Sequence, residues 1–463
     1  MPTLLFALLL ACSPATVTPP GGGADTAGAD GGVDTAITTD GGADTAGPGD
    51  GGADTAGPGD GGGAADTGAD TAAPGDTGDT GDGVEHVPGV DPDYDPSDVL
   101  FTLDEVHSLD IELGTDARAA LVSDPYTFVT ANVIVDGHRI DDVGIRLAGK
   151  LGSFRTMDQK AGFKIDLDRF VAGQTYLGLK RIVAKNLVQD SSYIHERIAF
   201  QIYEAMGVAA PRVGYLWVTV NGQDYGLYAD MEAVDDRFLS RAYADPTGNL
   251  YDGDYVLNET GSSYTLLDFN TTTQQLMNLD EGTDVDHADI RAVTRAVDRA
   301  LGTGDWETPI GAVIDLDHHL RFMSVELWVG QYDGYSNYTN NYRVYFDPTD
   351  GLARLHPWDH DWAFYSSSPL TPQYGRLSVY CYADAACKAD YLATMETLCE
   401  TVPELNLLDE VDRAVELLAP YIEVDPRREM SLATVGSYQA SLRSWIAHRN
   451  ETVAATYGIP CGA

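Results

Sequence analysis

From Asp98 onward the chain alternates apolar and polar residues in short runs that predict strands. Val106 to Leu113 and Phe128 to Val135 are two of them, the second ending at an Asp136-Gly137 turn. Val143 to Leu147 is a third, leading into the glycine-containing turn Ala148 to Ser153. Phe163 to Asp168 alternates strictly. Its Phe163, Ile165 and Leu167 belong to a buried face, and Lys160, Gly162 and Lys164 are expected on the opposite one. The period then changes. Ile194, Ile198, Ile202 and Met206 recur every four residues, which predicts a helix from about Ser191 to Met206, stopped by Gly207 and with Glu196 and Arg197 flanking the stripe. Val213 to Val220 and Tyr225 to Met231 surround Asn221-Gly222, a strong hairpin signal.

The remainder reads as mostly helical. Asp286 to Leu301 carries Ile290, Val293, Ala296 and Val297 on one face. His318 to Val329 is apolar at Leu320, Phe322, Met323, Val325, Leu327 and Trp328, and delivers Tyr332-Asp333 into a loop. Tyr342 to Phe346 and Leu352 to Leu355 form a second hairpin through Pro348 to Gly351, and helices are expected over Leu407 to Tyr421 and Ser437 to Tyr457. The expected fold is α+β and bilobal: a β-rich N-lobe over about residues 98–235 with one helix, then a mostly helical C-lobe over about 236–463.

The two ends change the picture. Met1 to Cys12 is a short apolar run ending Leu9-Leu10-Ala11-Cys12, which resembles a lipoprotein signal peptide with its lipobox; on that reading Cys12 is lipidated and anchors the chain at the cell envelope or surface. No Lys or Arg precedes Arg118, so the usual basic start is missing. Residues 13–92 repeat Gly-Gly-Ala-Asp-Thr-Ala and Pro-Gly-Asp units with almost no large apolar side chain, the composition of a disordered tether. Asp91, Asp93, Asp95 and Ser97 alternate like the start of a calcium loop, but the glycine and terminal Glu of such a loop are absent.

The formal charge is −44, and only 14 of the 72 acidic residues lie in residues 21–90. That leaves 58 acidic against 28 basic residues, so the folded part is itself strongly acidic, which argues against nucleic acid and anionic membranes as partners. Besides Cys12 there are Cys381, Cys387, Cys399 and Cys461. In an exported domain four cysteines suggest two disulfides with three possible connectivities, the close pair Cys381 and Cys387 fitting a small loop staple.

The chemistry concentrates late in the chain. Leu355 to Phe364 reads Leu-His-Pro-Trp-Asp-His-Asp-Trp-Ala-Phe and follows a hairpin that itself follows Asp333, Asn340 and Asn341. Mg²⁺ and Mn²⁺ prefer hard oxygen ligands, and phosphoryl transfer needs such ions beside a positioned carboxylate. Helix, Asp/Asn loop, hairpin and Asp loop follow in the order of the catalytic parts of a kinase C-lobe.

Val143 to Gly149, Lys160 to Leu167, Asn221 to Tyr228 with Glu232, Asn340-Asn341-Tyr342 and Pro357-Trp-Asp-His-Asp361 together resemble the spore-coat CotH kinase family over roughly residues 98–365. The resemblance implies an atypical, secretory-type protein kinase that uses ATP and a divalent ion, Mg²⁺ or Mn²⁺, to phosphorylate serines of an exported or cell-surface protein. It implies Lys160 as the phosphate-anchoring lysine with Glu196 as its helix partner, and Lys164 as a rival for that role. It implies Asp333 as the catalytic-loop Asp, Asn340 or Asn341 as the amide ligand of the metal, and Asp359 as the main metal carboxylate with Asp361 second. Arg146 and Glu232 are expected nucleotide contacts. The segment Lys150-Leu151-Gly152-Ser153 departs from the polar residues usual there; Lys150 either reaches a phosphate or stays a surface lysine.

Each residue also has a plainer role. Lys160 with Glu196 would serve as a surface ion pair, Asp333 as a helix end, and Asn340-Asn341 as turn residues. Asp359 and Asp361, between two Trp, are harder to explain structurally, because unpaired carboxylates in an apolar setting are costly. His356 and His360 are expected to pack. Two other functions stay open: a non-catalytic surface module that keeps the fold, and a metal-dependent hydrolase using Asp359, Asp361, His356 and His360.

Overall fold

The computed structural model describes residues 95–258, 261, 263–365 and 367–461. The signal segment 1–12 and the tether 13–92 expected from the sequence lie outside these residues, as do Asp91 and Asp93. Asp95 accepts from Ser97 and caps the short turn Pro96–Phe101, and it pairs with Arg212 and Arg237.

The fold is mixed α+β. The first elements are β1 (His107–Glu112), α1 (Thr115–Ser123), β2 (Val129–Val135), β3 (His138–Ala148), β4 (Gly162–Asp166), β5 (Arg181–Lys185), α2 (His195–Ala205), β6 (Val213–Val220) and β7 (Gln223–Met231). The strand patterns predict a β-rich lobe with one helix, and the strands go further than that. They close into a barrel in the order β1-β2-β3-β4-β5-β7-β6, in which β1 lies parallel to β6 and every other neighbour is antiparallel. Closure removes both sheet edges. Leu109, Ile111, Val133, Val143, Ile145, Phe163, Ile165, Leu216 and Val218 fill one core, as the alternation requires.

The second part opens with α3 (Asp236–Ala242), β8 (Asn249–Asp252), β9 (Val256–Leu257), β10 (Tyr264–Thr265) and β11 (Asn278–Glu281). Then come α4 (Ala288–Thr303), α5 (Glu307–Gly311), α6 (Leu316–Val329), α7 (Tyr335–Tyr338), β12 (Tyr342–Phe346) and β13 (Ala353–Pro357). The expected hairpin β12–β13 is half of a four-stranded sheet ordered β11-β8-β12-β13. The chain ends in α8 (Arg376–Ala383), α9 (Ala385–Thr401), α10 (Leu407–Val424) and α11 (Leu432–Tyr457). The larger core packs Ile198, Ile202 and Tyr203 of α2 with Phe322, Val325 and Trp328 of α6 and Leu398, Val411 and Leu442 of the last helices. Cys381 is bonded to Cys387 and Cys399 to Cys461, so the close pair forms the local staple. Among the described residues no helix is long and apolar enough to cross a membrane.

The connector between α10 and α11 is tied to the barrel by charge. Asp425 forms an ion pair with Lys160 in which both side chains are essentially fully buried, and Asp425 also accepts the N–H of Leu227 (3.1 Å). Gly226 is required there: its φ is +103°, and a Cβ would collide with the Asp425 carboxylate. A buried ion broken on one side leaves its partner uncompensated. Asp425→Ala is therefore expected to cost about 3–5 kcal/mol of stability, read as a lower denaturation midpoint. The double variant Lys160→Met with Asp425→Leu should regain most of that loss.

Candidate active site

A cavity of about 460 Å³ opens between the barrel and the sheet β11-β8-β12-β13. Its barrel wall carries Arg146 on β3, Lys164 on β4 and Lys185 on β5, and its other wall carries Asp333, Asn340, Asn341, Asp359 and Asp361. Leu151, Val256, Leu257, Trp358 and Trp362 supply apolar surface.

Lys185 links the parts. It ends β5, the strand that feeds into α2, and its Nζ lies 2.5 Å from Glu196 Oε1 on that helix and 2.5 Å from Asp359 Oδ1. Glu196 also accepts the N–H of His360 (3.1 Å), so helix, strand and Asp loop share one hydrogen-bonded cluster. Burial alone would lower the lysine's pKa; Asp359, Glu196 and Asp361 reverse that and hold it well above its ordinary value. Burial pushes Glu196 up to about 7, against the pull of Lys185. Burial, then the neighbouring Asp359, also pushes Asp361 well above the carboxylate range.

The two other cations differ. Arg146 and Lys164 face one another across the β3–β4 ladder, and neither forms an ion pair among the described residues. Like charges placed opposite each other in a sheet are unfavourable. Burial lowers Lys164 to about 8, with Arg146 and Arg343 acting in the same direction. Burial also lowers Arg146. Lys150 donates to the carbonyl of Tyr255 (3.1 Å) and sits 3.7 Å from Asp254, at the mouth of the same cavity.

Asp333 leaves α6 through a short loop, and its Oδ2 accepts from Asn340 Nδ2 (3.1 Å) and Asn341 Nδ2 (3.2 Å). Burial raises its pKa to about 7, opposed by the Asn340 hydrogen bond and reinforced by Asp359. Gln331 joins this loop to the next one, donating from Nε2 to the carbonyl of Asp359 (3.0 Å).

Two expected site residues are placed elsewhere. Lys160 does not pair with Glu196; its ammonium is bound to Asp425 outside the cavity lining. The alternation that put it beside Lys164 holds only inside the ladder, and that ladder begins at Gly162. The lysine partner of Glu196 is Lys185, which the sequence reading missed. Its signal was Lys180-Arg-Ile-Val-Ala-Lys185, a short apolar run ending in Lys just before the helix. Glu232 is also outside the lining; it is buried between Arg212 (2.7 Å) and Arg241 (2.9 Å), held there by pairing of the β7 end with the β6 start.

His356 and His360 pack, as expected. Burial lowers both to about 4, and their rings contact Tyr243 and Ala209, and Tyr203 and Trp358, respectively. A second cavity, of about 580 Å³, touches α2 at Arg197, Gln201 and Glu204. It holds none of the candidate residues, and its Arg197, Arg212 and Arg241 are already paired with carboxylates.

The acidic wall carries hard oxygen donors of the kind a divalent ion takes. No side chain among the described residues donates to the Asp361 carboxylate, which lies buried beside Asp359, and such a pair is relieved by a hard cation. Among the described residues no three His, Cys, Asp or Glu side chains form a metal cluster, so the donors on offer are these two carboxylates with the amides of Asn340 and Asn341.

The model of the family described as CotH kinase protein matches residues 145–453, well over half of the chain, and the chain belongs to that family. It is 22% identical over 197 residues to the inner spore coat protein H of Bacillus subtilis (strain 168), which covers 42% of this chain and 52% of that protein. The chain thus spans about half the length of this curated relative. Among solved structures it is similar to a chain of the Shewanella oneidensis MR-1 toxin–antitoxin complex of HipA, HipB and operator DNA, at 12% identity and a TM-score of 0.29, covering 76% of this chain and 74% of that one. The Helicobacter pylori proinflammatory kinase CtkA aligns at 11% identity and a TM-score of 0.25, covering 60% of this chain and 90% of that one. TM-scores this low leave the assignment to the family match.

Removing Lys185 should expose what it holds together. In chelator-containing buffer, Lys185→Met leaves Glu196, Asp359 and Asp361 facing one another, and the expected loss at pH 8 is about 3–5 kcal/mol. Losing the cation raises the Glu196 pKa further in the folded state, so the deficit belongs to the ionised form and shrinks as pH falls through about 7. Thermal melts of both proteins at pH 6 and pH 8 check the sign.

Proposed function

We propose that this CotH-family chain is an ATP-dependent kinase that transfers the γ-phosphate to serine hydroxyls of exported or cell-surface proteins. The observation that carries this reading is the pairing of opposites across one cavity. Arg146 and Lys164, which form no ion pair among the described residues, line the same cavity as Asp333, Asp359 and Asp361, with Asp252 and Asp254 nearby. Two like charges held opposite each other on one wall of a cavity favour an anion between them, and phosphate is the anion that such a wall and facing carboxylates with a divalent ion would hold together. Lys185, on the strand leading into α2, pairs with Glu196 as a kinase strand lysine pairs with its helix glutamate.

In this reading Asp359, Asp361 and an amide of Asn340 or Asn341 would hold a divalent ion, which would supply neutralising charge beside the transferred phosphate. Arg146 and Lys164 fix the phosphates, and Lys185 keeps Asp359 and helix α2 in register. Asp333, with Asn340 and Asn341 holding one oxygen, orients the acceptor hydroxyl and takes up its proton. Trp358 and Trp362 limit water at the reacting end. The two lobes are the barrel and the part that follows it. Export, a lipid anchor at Cys12 and a tether over residues 13–92 are part of the proposal and rest on the sequence; the name of the spore coat relative supports a surface location.

The non-catalytic module remains the second reading, because Lys185 occupies Asp359 in this structure. A hydrolase built on His356 and His360 is disfavoured by their packing away from the cavity lining.

The deciding experiment incubates the purified chain with labelled ATP and Mg²⁺ or Mn²⁺ and measures phosphate transfer together with binding of an ATP analogue. Asp333→Ala should lower transfer by on the order of 10²-fold or more, the range for a positioned acid–base group, and leave analogue affinity nearly unchanged. Equal transfer by both proteins would remove Asp333 from the mechanism. Binding without transfer in the wild type would favour the non-catalytic module. Asp359→Asn, which deletes one charge and little volume, should abolish the metal dependence of analogue binding; unchanged dependence would move the ion elsewhere.

A further inference from the structure

We infer that Glu326 is a positioning residue: its carboxylate, inside the core, grips the backbone at the start of α7, where the Asp333 loop ends, and so sets where Asp333 stands. The inference rests on the kinase reading for the consequence in phosphate transfer, and on geometry alone for the grip.

Glu326 lies on α6, one turn before Gly330 ends the helix, and it is fully buried. No Lys, Arg or His forms an ion pair with it among the described residues. A buried carboxylate without a cation is costly unless hydrogen bonds satisfy it. Here the donors are the first two peptide groups of α7, directly after the loop: the N–H of Tyr335 to Oε1 (2.6 Å) and the N–H of Ser336 to Oε2 (2.7 Å), with the Ser336 hydroxyl also acting on the carboxylate. Its backbone carbonyl takes a further donor from the loop itself, the N–H of Gln331 (3.0 Å).

The loop is shaped to allow this approach. Gly334, between Asp333 and Tyr335, has an extended backbone open to any residue, yet a Cβ there would collide with the Glu326 carboxylate. Glycine is present for space, because the carboxylate must reach the peptide chain directly. Asp333 is therefore pinned from both sides: its backbone two residues from the Glu326 grip, its carboxylate by Asn340 and Asn341. Asn337 Nδ2 adds a cross-strut to the carbonyl of Gln331 (2.9 Å), and Gln331 carries the restraint to the Asp359 loop. An apolar residue would serve core packing at least as well. The acid is explained by the loop it holds.

The test uses Glu326→Gln in the full chain, which keeps the shape but turns one acceptor oxygen into an NH₂ facing a peptide N–H. Gly334→Ala is a second variant that pushes the loop off the same carboxylate from the opposite side. Hydrogen–deuterium exchange should speed up about 10-fold or more at the Tyr335 and Ser336 amides, as a lost buried bond allows, while the amides of the barrel keep their protection. Transfer kcat should fall about 10- to 100-fold, the scale of a slight misplacement of a reacting group, with the KM for ATP and analogue affinity within about two-fold. A merely structural residue would loosen amides throughout α6 and move KM and folded fraction with kcat; that pattern would overturn the inference. So would unchanged exchange at Tyr335 and Ser336, or faster exchange there with unchanged kcat. Absence of transfer by the wild type would overturn the kinase reading, while the exchange measurement, which needs no turnover, would still decide whether Glu326 holds the loop.

Discussion

The contact on which the site depends is that of Lys185 with Glu196 and Asp359. One ammonium draws together the end of a barrel strand, the helix that follows it and a loop about 170 residues further along the chain. Charges partly withdrawn from water interact more strongly than on an open surface, and a cation among three carboxylates stays protonated against the effect of burial. The arrangement of the cavity follows. With α2 drawn to β5 and the Asp loop to both, the barrel cations face the acids of the loops that follow α6 and β13. Tyr203 and His360 hydrogen-bond behind this contact, so the charged cluster is backed by aromatic packing.

A second charged tie works away from the cavity. Lys160 and Asp425 join the segment before β4 to the α10–α11 connector, with Arg155–Glu429 and the Arg427 guanidinium over the Tyr225 ring nearby. The two ties differ in what surrounds them. Lys160 is enclosed, between the rings of Tyr193 and Tyr228, and has one carboxylate partner; Lys185 is partly exposed and has two. The first suits permanent structure, the second a site where one carboxylate has another duty.

Much of this was legible in the amino-acid sequence. Strict alternation identified the core face of β4 at Phe163 and Ile165, and four-residue spacing identified the buried stripe of α2 at Ile198 and Ile202. The acids Asp333, Asp359 and Asp361 and the amides Asn340 and Asn341 were expected at one site and line one cavity. The errors have physical causes. Alternation says nothing beyond the end of a ladder, so Lys160 was assigned a face that it does not have. β5 is too short and too uniformly apolar between its basic ends to show a period, so Lys185 was not seen. Glu232 sits where a chain-order argument put it, but its charge is consumed by Arg212 and Arg241. Barrel closure was hidden because the parallel pairing of β1 with β6 joins segments about a hundred residues apart, and no local pattern records such a partner.

That pairing bears on how the molecule is made. β1 is the first of the described strands to leave the ribosome, and β6, its partner on the closing side, comes only after four more strands and two helices. The antiparallel run from β1 to β4 assembles from neighbours in sequence, whereas the last seam waits for a long loop to be brought together, the slow step for non-local strand pairing. Until then β1 and β6 both present unpaired backbone to anything nearby. For that interval the barrel segment is an open sheet. Its acidic side chains, by mutual repulsion, would keep such open intermediates apart while the barrel is still incomplete.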